Sequence, residues 1–303
     1  MKNKVVVVGG AGFIGSHLVD ELIKRKNKVI VVDNLSGGKK ENVNPKAKLK
    51  ILDIRNRPAL AEVMMGAKYV FHLAALPRVQ YSIEHPDETS EVNVMGTINV
   101  LMAAKSAGVK RVIYSASSSA YGDQPTMPLV EKMPANPKSP YGLQKYIGEL
   151  YCRVWSLVYG LETVSLRYFN VYGSRQDPDG AYALVIGKFL KQRKNNEPLT
   201  VTGDGTQTRD FTHVRDVVQA NVLASLSRKV GTGEVINIGA GRNQSINRIA
   251  ELIGGPVKRV KARLEPHDTL ADNSLARKLL NWRPQVTLSK GVSELKKEWG
   301  LLD

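Results

Sequence analysis

Four consecutive valines, Val5 to Val8, run straight into Gly9-Gly10-Ala11-Gly12-Phe13-Ile14-Gly15, and an amphipathic stretch follows at once. This juncture constrains the fold more than any other part of the 303 residues. A short β-branched run bounded by glycines reads as a buried strand, and the stripe Ile14, Leu18, Leu22 reads as a helix over 13–26. In such a turn one glycine permits the tight bend, a second lets backbone approach a pyrophosphate, and a third allows close helix–strand packing. The helix start then offers N–H groups and a positive partial charge to an anion. Lys2 and Lys4 before the valines imitate a secretion signal, but four apolar residues ended by glycines suit a strand better.

The same alternation continues. Residues 29–32, 49–52, 69–73, 111–115 and 163–167 read as further strands, and 58–65, 92–107 and 141–159 as helices. Near-continuous β-branched strands separated by helices imply a parallel sheet covered on both faces. Beyond about residue 170 the chain becomes irregular and rich in Gly, Asp and Arg. The expectation is therefore α/β: a doubly wound parallel (Rossmann) sheet with a smaller C-terminal α/β substrate-binding lobe. Residues 1–170 form the dinucleotide-binding domain, segments around 210–240 rejoin it, and 171–303 mainly build the lobe.

Composition narrows the class. Hydrophobic residues at 42% and charged residues at 24% are those of an ordinary globular protein. No apolar run approaches the roughly 18–20 residues of a membrane span, so no membrane partner is expected. The single cysteine, Cys152, excludes an internal disulfide and fits a cytoplasmic protein. Five scattered histidines offer no metal-ligand spacing, and no metal is expected. The net charge of +16 invites a nucleic-acid reading. The basic clusters, such as Lys24-Arg25-Lys26, Lys46/Lys48/Lys50 and Lys258/Arg259/Lys261, are not interleaved with aromatics and match no nucleic-acid motif. They read as solvated faces, and no nucleic-acid partner is expected; a basic field would equally attract a diphosphate substrate.

An acidic residue ends the second strand. Asp33 there accepts hydrogen bonds from adenosine ribose hydroxyls and repels a 2′-phosphate, which favours NAD over NADP. Asp53-Ile54 closes the third strand, where it meets the adenine or merely ends the strand. Leu73-Ala74-Ala75 closes the fourth with small side chains, leaving room for the dinucleotide or simply packing. Tyr141 and Lys145 stand at i and i+4 on one helical face behind Pro140, a residue suited to a helix start. A neighbouring cation lowers a phenol's pKa from about 10 toward working pH, which makes the phenol a usable general base. Ser115 to Gly122 run off the C-terminal end of strand five, the edge where such sheets bind ligands.

With Asn93, Arg167-Tyr168-Phe169-Asn170, Gly203-Asp204-Gly205 and Arg209-Asp210-Phe211 added, these motifs resemble the extended short-chain dehydrogenase/reductases, and within them the NAD-dependent UDP-hexose 4-epimerases. The resemblance implies that Ser117 is a catalytic hydroxyl with Ser118 beside it, Tyr141 the acid/base, and Lys145 a holder of the nicotinamide ribose. Gly9, Gly12, Phe13, Ile14, Gly15, Asp33, Asn34, Asp53, Ile54, Leu73, Ala74, Ala75 and Asn93 border NAD, and Phe169 borders its nicotinamide. Asn170, Ala183, Leu184, Thr200 and Thr202 line the UDP side, and Arg209 clamps the diphosphate. Arg263 resembles a second clamp, although the family's glycine after it is missing and the spacing to Leu270-Ala271-Asp272 is one residue short.

Ser117 is followed by Ser118, Ser119 and Ala120, whereas family dehydratases and decarboxylases carry acidic residues there. The expected reaction is therefore C4 epimerisation through a transient 4-keto sugar with tightly bound NAD. Gln176-Asp177-Pro178 and the small Thr269 resemble the branch of the family that acts on N-acetylhexosamines, which implies UDP-GlcNAc/UDP-GalNAc slightly ahead of UDP-Glc/UDP-Gal. The alternatives are a UDP-uronate 4-epimerase or decarboxylase, and a non-enzymatic, NAD-bound basic assembly protein. Apolar residues Leu143, Ile147, Leu150, Val154, Leu157 and Val158, with helix 92–107, imply a homodimer through a four-helix seam.

Overall fold

The valine run divides its side chains between the two faces of a sheet. The computed structural model describes residues 3–178, 185–261 and 268–301. Strands β1 (Lys4–Val8), β2 (Lys28–Asp33), β3 (Lys48–Ile51), β4 (Tyr69–His72), β5 (Arg111–Ser117) and β6 (Glu162–Tyr168) come first. Short strands β7 (Val171–Tyr172), β8 (Leu199–Thr202), β9 (Thr208–Asp210) and β10 (Thr212–His213) precede β11 (Thr232–Ile238); β12 (Asn243–Ser245) and β13 (Val257–Val260) follow. The main sheet is parallel, in the order β11-β6-β5-β4-β1-β2-β3. Its order reverses between β1 and β4, the switch point where doubly wound sheets bind ligands.

Helices α1 (Phe13–Lys24), α2 (Arg57–Met64), α3 (Val79–Glu84), α4 (Pro86–Ser90), α5 (Gly96–Ser106) and α6 (Pro140–Tyr159) are followed by α7 (Val185–Lys194), α8 (Val214–Leu226), α9 (Ile246–Ile253), α10 (Ser274–Leu280) and α11 (Leu288–Glu298). Val5 and Val7 pack with Leu18 of α1 and Val217 of α8, while Val6 and Val8 pack with Leu60, Val100 and Cys152 on the other face. A third cluster, including Phe189, Val201, Ile249 and Val292, forms the core around α7, α9 and α11. The chain after residue 210 returns to the main sheet through α8 and β11. No helix among the described residues is long and apolar enough to cross a membrane.

The helix expected over 92–107 begins differently. Residues Glu91–Met95 make a π-helical turn before α5, and α3 and α4 lie upstream without a clear apolar period. Gly96 explains the close fit of α5, since a Cβ there would stand 2.4 Å from Cδ1 of Ile54.

Helix α6 is fitted to the sheet by small residues and one ion pair. Ser139 caps it, accepting from Gly142 N at 3.1 Å. At Gly148 a Cβ would stand 2.2 Å from the Tyr114 hydroxyl, so only glycine lets α6 lie this close to β5. One residue on, Glu149 receives Arg167 of β6 in a bidentate pair at 2.8 and 2.7 Å, both side chains being buried. Burial raises the Glu149 pKa despite the bonds from Arg167. Burial also opposes the charge on Arg167, but Glu149 more than offsets it, so that guanidinium stays firmly protonated.

Removing one partner of such a pair strands a buried charge. Arg167→Leu is expected to lower unfolding free energy by about 3–5 kcal/mol. Glu149→Leu/Arg167→Leu should recover most of that loss in urea denaturation. A double variant no more stable than the single one would show that the pair does not hold α6 to β6.

Candidate active site

All strands of the main sheet end at one edge, and the residues expected to bind and react gather there. Gly9 has φ of +84° and lies so close to β4 that a Cβ would stand 2.5 Å from Ala74 N. At Gly15 a Cβ would stand 2.1 Å from Gly9 O. Both glycines are required by the protein's own packing. Gly12 is not: its Cβ would meet only Gly9 O, at 3.5 Å. Gly12 is the N-cap of α1, which has no side-chain cap and no acidic residue in its first turn. The helix start therefore keeps its positive partial charge beside a position that no side chain fills, which suits the diphosphate of a dinucleotide. Phe13, Ile14, Leu73, Ala74 and Ala75 border this turn and are partly exposed.

Asp33 also braces the turn. Its carboxylate accepts from Ala11 N at 2.9 Å and Leu35 N at 2.8 Å. A carboxylate has about four lone-pair sites, so capacity for ribose hydroxyls remains. Asn34 donates to Asp53 at 3.0 Å, and Arg55 holds Asp53 with two bonds of 2.9 Å. The Arg55 guanidinium is the main reason the Asp53 carboxyl falls to about 2. Ile54 is buried against Gly96. Asn93 accepts from Leu76 N at 2.7 Å and donates to Leu76 O at 3.0 Å and Gln144 Oε1 at 2.7 Å. Its amide hydrogens are both engaged, so Asn93 influences the groove by holding the chain after β4.

Ser117, Tyr141 and Lys145 are all buried, on two elements in direct contact. Gly142 makes that contact possible: a Cβ would stand 2.7 Å from Ser119 O, so the start of α6 rests on the turn after β5. Ser117 Oγ accepts from Ser119 N at 3.1 Å and donates to Ser119 Oγ at 3.0 Å. Tyr141 N donates to Ser82 Oγ at 3.0 Å, which ties α6 to α3. Lys145 Nζ donates to Ser115 O at 2.8 Å and lies 6.0 Å from the Tyr141 ring centroid. Burial lowers its pKa to about 8, with Glu149 opposing the shift.

A second group forms beyond β6. Asn170, at φ +31°, donates to Asp210 O at 3.3 Å and Thr269 Oγ1 at 3.4 Å. Thr269 Oγ1 accepts from Asp210 N at 3.3 Å, and Arg209 donates to Thr208 O at 2.9 Å. Asp210 is the hub that sequence reasoning missed. Fully buried, it accepts from Ala240, Gly241 and Ala271 N at 2.8 to 3.0 Å, which draws three segments together. Burial pushes its carboxyl up to about 6 against those three donors. The Arg-Asp-Phe motif had drawn attention to Arg209 alone.

Phe169 is buried and packs with Tyr121, Leu129 and Ala271. Thr200 is engaged with Gln192 of α7 through its amide (3.1 Å) and its hydroxyl (3.0 Å). The Thr202 carbonyl accepts from Gln207 Nε2 at 2.9 Å. Ala183, Leu184 and Arg263 lie outside the described residues. Among the described residues no cluster of His, Cys, Asp and Glu could hold a metal.

Residues 5–239 match the profile of the NAD dependent epimerase/dehydratase family. The chain belongs to that family. A UDP-N-acetylglucosamine 4-epimerase from Methanobrevibacter ruminantium, solved with UDP-N-acetylmuramic acid, superposes with a TM-score of 0.92 at 38% identity, covering 98% of this chain and 100% of that one. A UDP-glucose 4-epimerase from Thermotoga maritima with UDP-glucose gives 0.91 at 37%, covering 97% and 99%. A UDP-glucuronate 4-epimerase from Thermodesulfobacterium geofontis is 36% identical, covering 95% and 93%. The family's dependence on NAD agrees with the glycine turn and with Asp33, while the three relatives are named for three different sugars.

The contrast among the glycines is testable. Gly12→Ala should change stability by no more than about 0.5 kcal/mol, yet reduce the dinucleotide carried by purified protein about tenfold or more. Gly15→Ala should lower stability itself, by about 2 kcal/mol or more. Undiminished cofactor content in the Gly12 variant would mean that the helix start does not face the diphosphate.

Proposed function

We propose that the protein interconverts C4 epimers of a UDP-hexose, using NAD held on the glycine turn through the whole cycle. The observation that carries this reading is the convergence of a buried serine, tyrosine and lysine at the end of β5, with only Ser118, Ser119 and Ala120 after Ser117. When bound there, NAD supplies the reversible oxidation and reduction at C4.

The protein's own groups manage protons and position. Tyr141 removes the O4 proton and later returns it, while Ser117 hydrogen-bonds the same oxygen. Lys145 favours the phenolate by its charge. Asn170 and Arg209 grip the UDP while the hexose turns its other face to the reaction centre. No carboxylate follows Ser117 to eliminate water or assist loss of carbon dioxide, so reversal of the first step is the simplest outcome. Thr269 beside Asn170 is small enough to admit a 2-acetamido group, which supports UDP-GlcNAc/UDP-GalNAc as the preferred pair.

Incubation with UDP-GlcNAc, UDP-Glc and UDP-GlcA without added cofactor should yield C4 epimers, most rapidly from UDP-GlcNAc. Ser117→Ala and Tyr141→Phe should each lose about 10²–10⁴ in kcat. Lys145 is an ammonium below its pKa of about 8 and neutral above it, so kcat/KM should fall as pH rises through that value. Lys145→Met should abolish this alkaline limb. Absence of epimers from all three substrates, or an unchanged pH profile in the lysine variant, would overturn the scheme.

We also propose a homodimer through α5 and α6. Leu143, Leu150, Val154, Leu157 and Val158 form an exposed stripe on α6, and Met95 and Met102 lie exposed on the neighbouring α5 segment. A continuous apolar face of this kind suits a self-complementary four-helix seam. Light scattering should give twice the mass of 33.3 kDa. Leu150→Glu/Val154→Lys should give the single mass; a wild-type monomer would refute the seam.

A further inference from the structure

The strand starts lie at the edge opposite the site, and that edge is lined with lysine. Lys4 of β1 pairs in register with Lys28 of β2. Lys68 N donates to Lys4 O at 2.8 Å and Lys110 N to Lys68 O at 3.0 Å, which carries the same row across the starts of β4 and β5. Lys48 begins β3, on the far side of β2. Adjacent strands are about 4.8 Å apart, so the four lysines in register span about 14 Å, with Lys48, opposite Ile30, two residues further along and Lys4 Nζ also donating to Met65 O. Lys28, Lys48, Lys68 and Lys110 are exposed and Lys4 partly so. None of the five has an ion-pair partner among the described residues. Burial, and then Lys28 and Lys48, depress the pKa of Lys4, as expected where like charges crowd.

The fold does not require this crowding. Lysines in the last turns of α1 and α5 complement helix dipoles, but strand starts carry little net dipole to offset. Two apolar side chains project among the cations. Met65, 59% exposed, sits in the turn before Lys68. Leu226, 55% exposed, ends α8, whose last carbonyls receive Arg111 next to Lys110. The one aromatic ring in the row, Tyr69, is buried beneath Lys68 Nζ, so no stacking platform for bases exists here.

We propose that this lysine edge docks the protein on an anionic phospholipid surface, the ammonium groups meeting headgroup phosphates and Met65 and Leu226 entering the interface. The active site, at the opposite ends of the same strands, then faces away from the bilayer with its mouth open to solvent. This is peripheral attachment, which needs no membrane-spanning helix.

The test is co-sedimentation of the full chain with vesicles of phosphatidylcholine, with and without phosphatidylglycerol. Binding is expected only with phosphatidylglycerol, and should vanish near 1 M salt, where the Debye length is about 3 Å. Lys28→Glu/Lys68→Glu/Lys110→Glu should weaken it about tenfold or more, and Met65→Ser several-fold, with epimerase activity in free solution unchanged. Lys258→Glu/Lys261→Glu/Lys290→Glu removes the same charge elsewhere and should weaken binding by less than about threefold. No lipid-dependent sedimentation, equal losses in the two triple variants, or capture by single-stranded RNA but not by vesicles would each overturn the proposal.

Discussion

The buried pair between Glu149 and Arg167 connects the two halves of the site. Glu149 lies one helical turn beyond Lys145, and Arg167 lies three residues before Asn170. A bidentate carboxylate–guanidinium contact tolerates little sliding or rotation, so the register of α6 on β6 is set within a narrow range. That register determines where Lys145 meets Ser115 and, on the neighbouring strand, where the chain leaves toward Asn170. Arg167 also stacks on Tyr121, at 4.4 Å from its ring centroid, and so steadies the end of the serine turn. Burying two charges contributes little net stability; its effect is to make misregistered packing costly.

Small residues complete what the ion pair begins. Glycine in a helix interior is unfavourable by about 1 kcal/mol relative to alanine, yet α6 carries two at buried positions. Gly142 admits the serine turn and Gly148 admits Tyr114. A side chain at either place would lift the helix from the sheet and separate Tyr141 and Lys145 from the strand ends. The proposed catalytic geometry thus depends on absent side chains as much as on present ones.

Much of this was legible in the sequence, and the remainder was hidden for physical reasons. The glycine turn, Asp33 and the β-branched strands could be read because each rests on local rules of turn geometry, charge and period. Tyr141 and Lys145 could be read because helical spacing alone puts them on one face. Asp210 could not, since nothing local reveals that a carboxylate will be buried under three amides from two distant segments. Gln144 and Ser82 were missed for the same reason: their partners, Asn93 and Tyr141 N, are remote in sequence. The two short helices over 79–90 went unread, and the helix read over 92–107 missed its π-helical start, because this segment has no single period.

The proposed reaction asks two things of one pocket that pull in opposite directions. The nucleotide must stay fixed, or the sugar leaves, while the hexose must turn freely enough to present its second face. The structure separates these demands by building the two regions differently. Around Asn170 and Arg209 the backbone is held by Asp210 through three amides, and by Thr269 across the groove. At the serine turn Ser117 is held by the amide and the hydroxyl of Ser119, short contacts with no fork to fix an orientation. A run of serines in place of carboxylates therefore does more than omit an acid. It would leave hydroxyl groups able to hydrogen-bond a ketone from either face, and no carboxylate charge that would prefer one orientation of the sugar over the other.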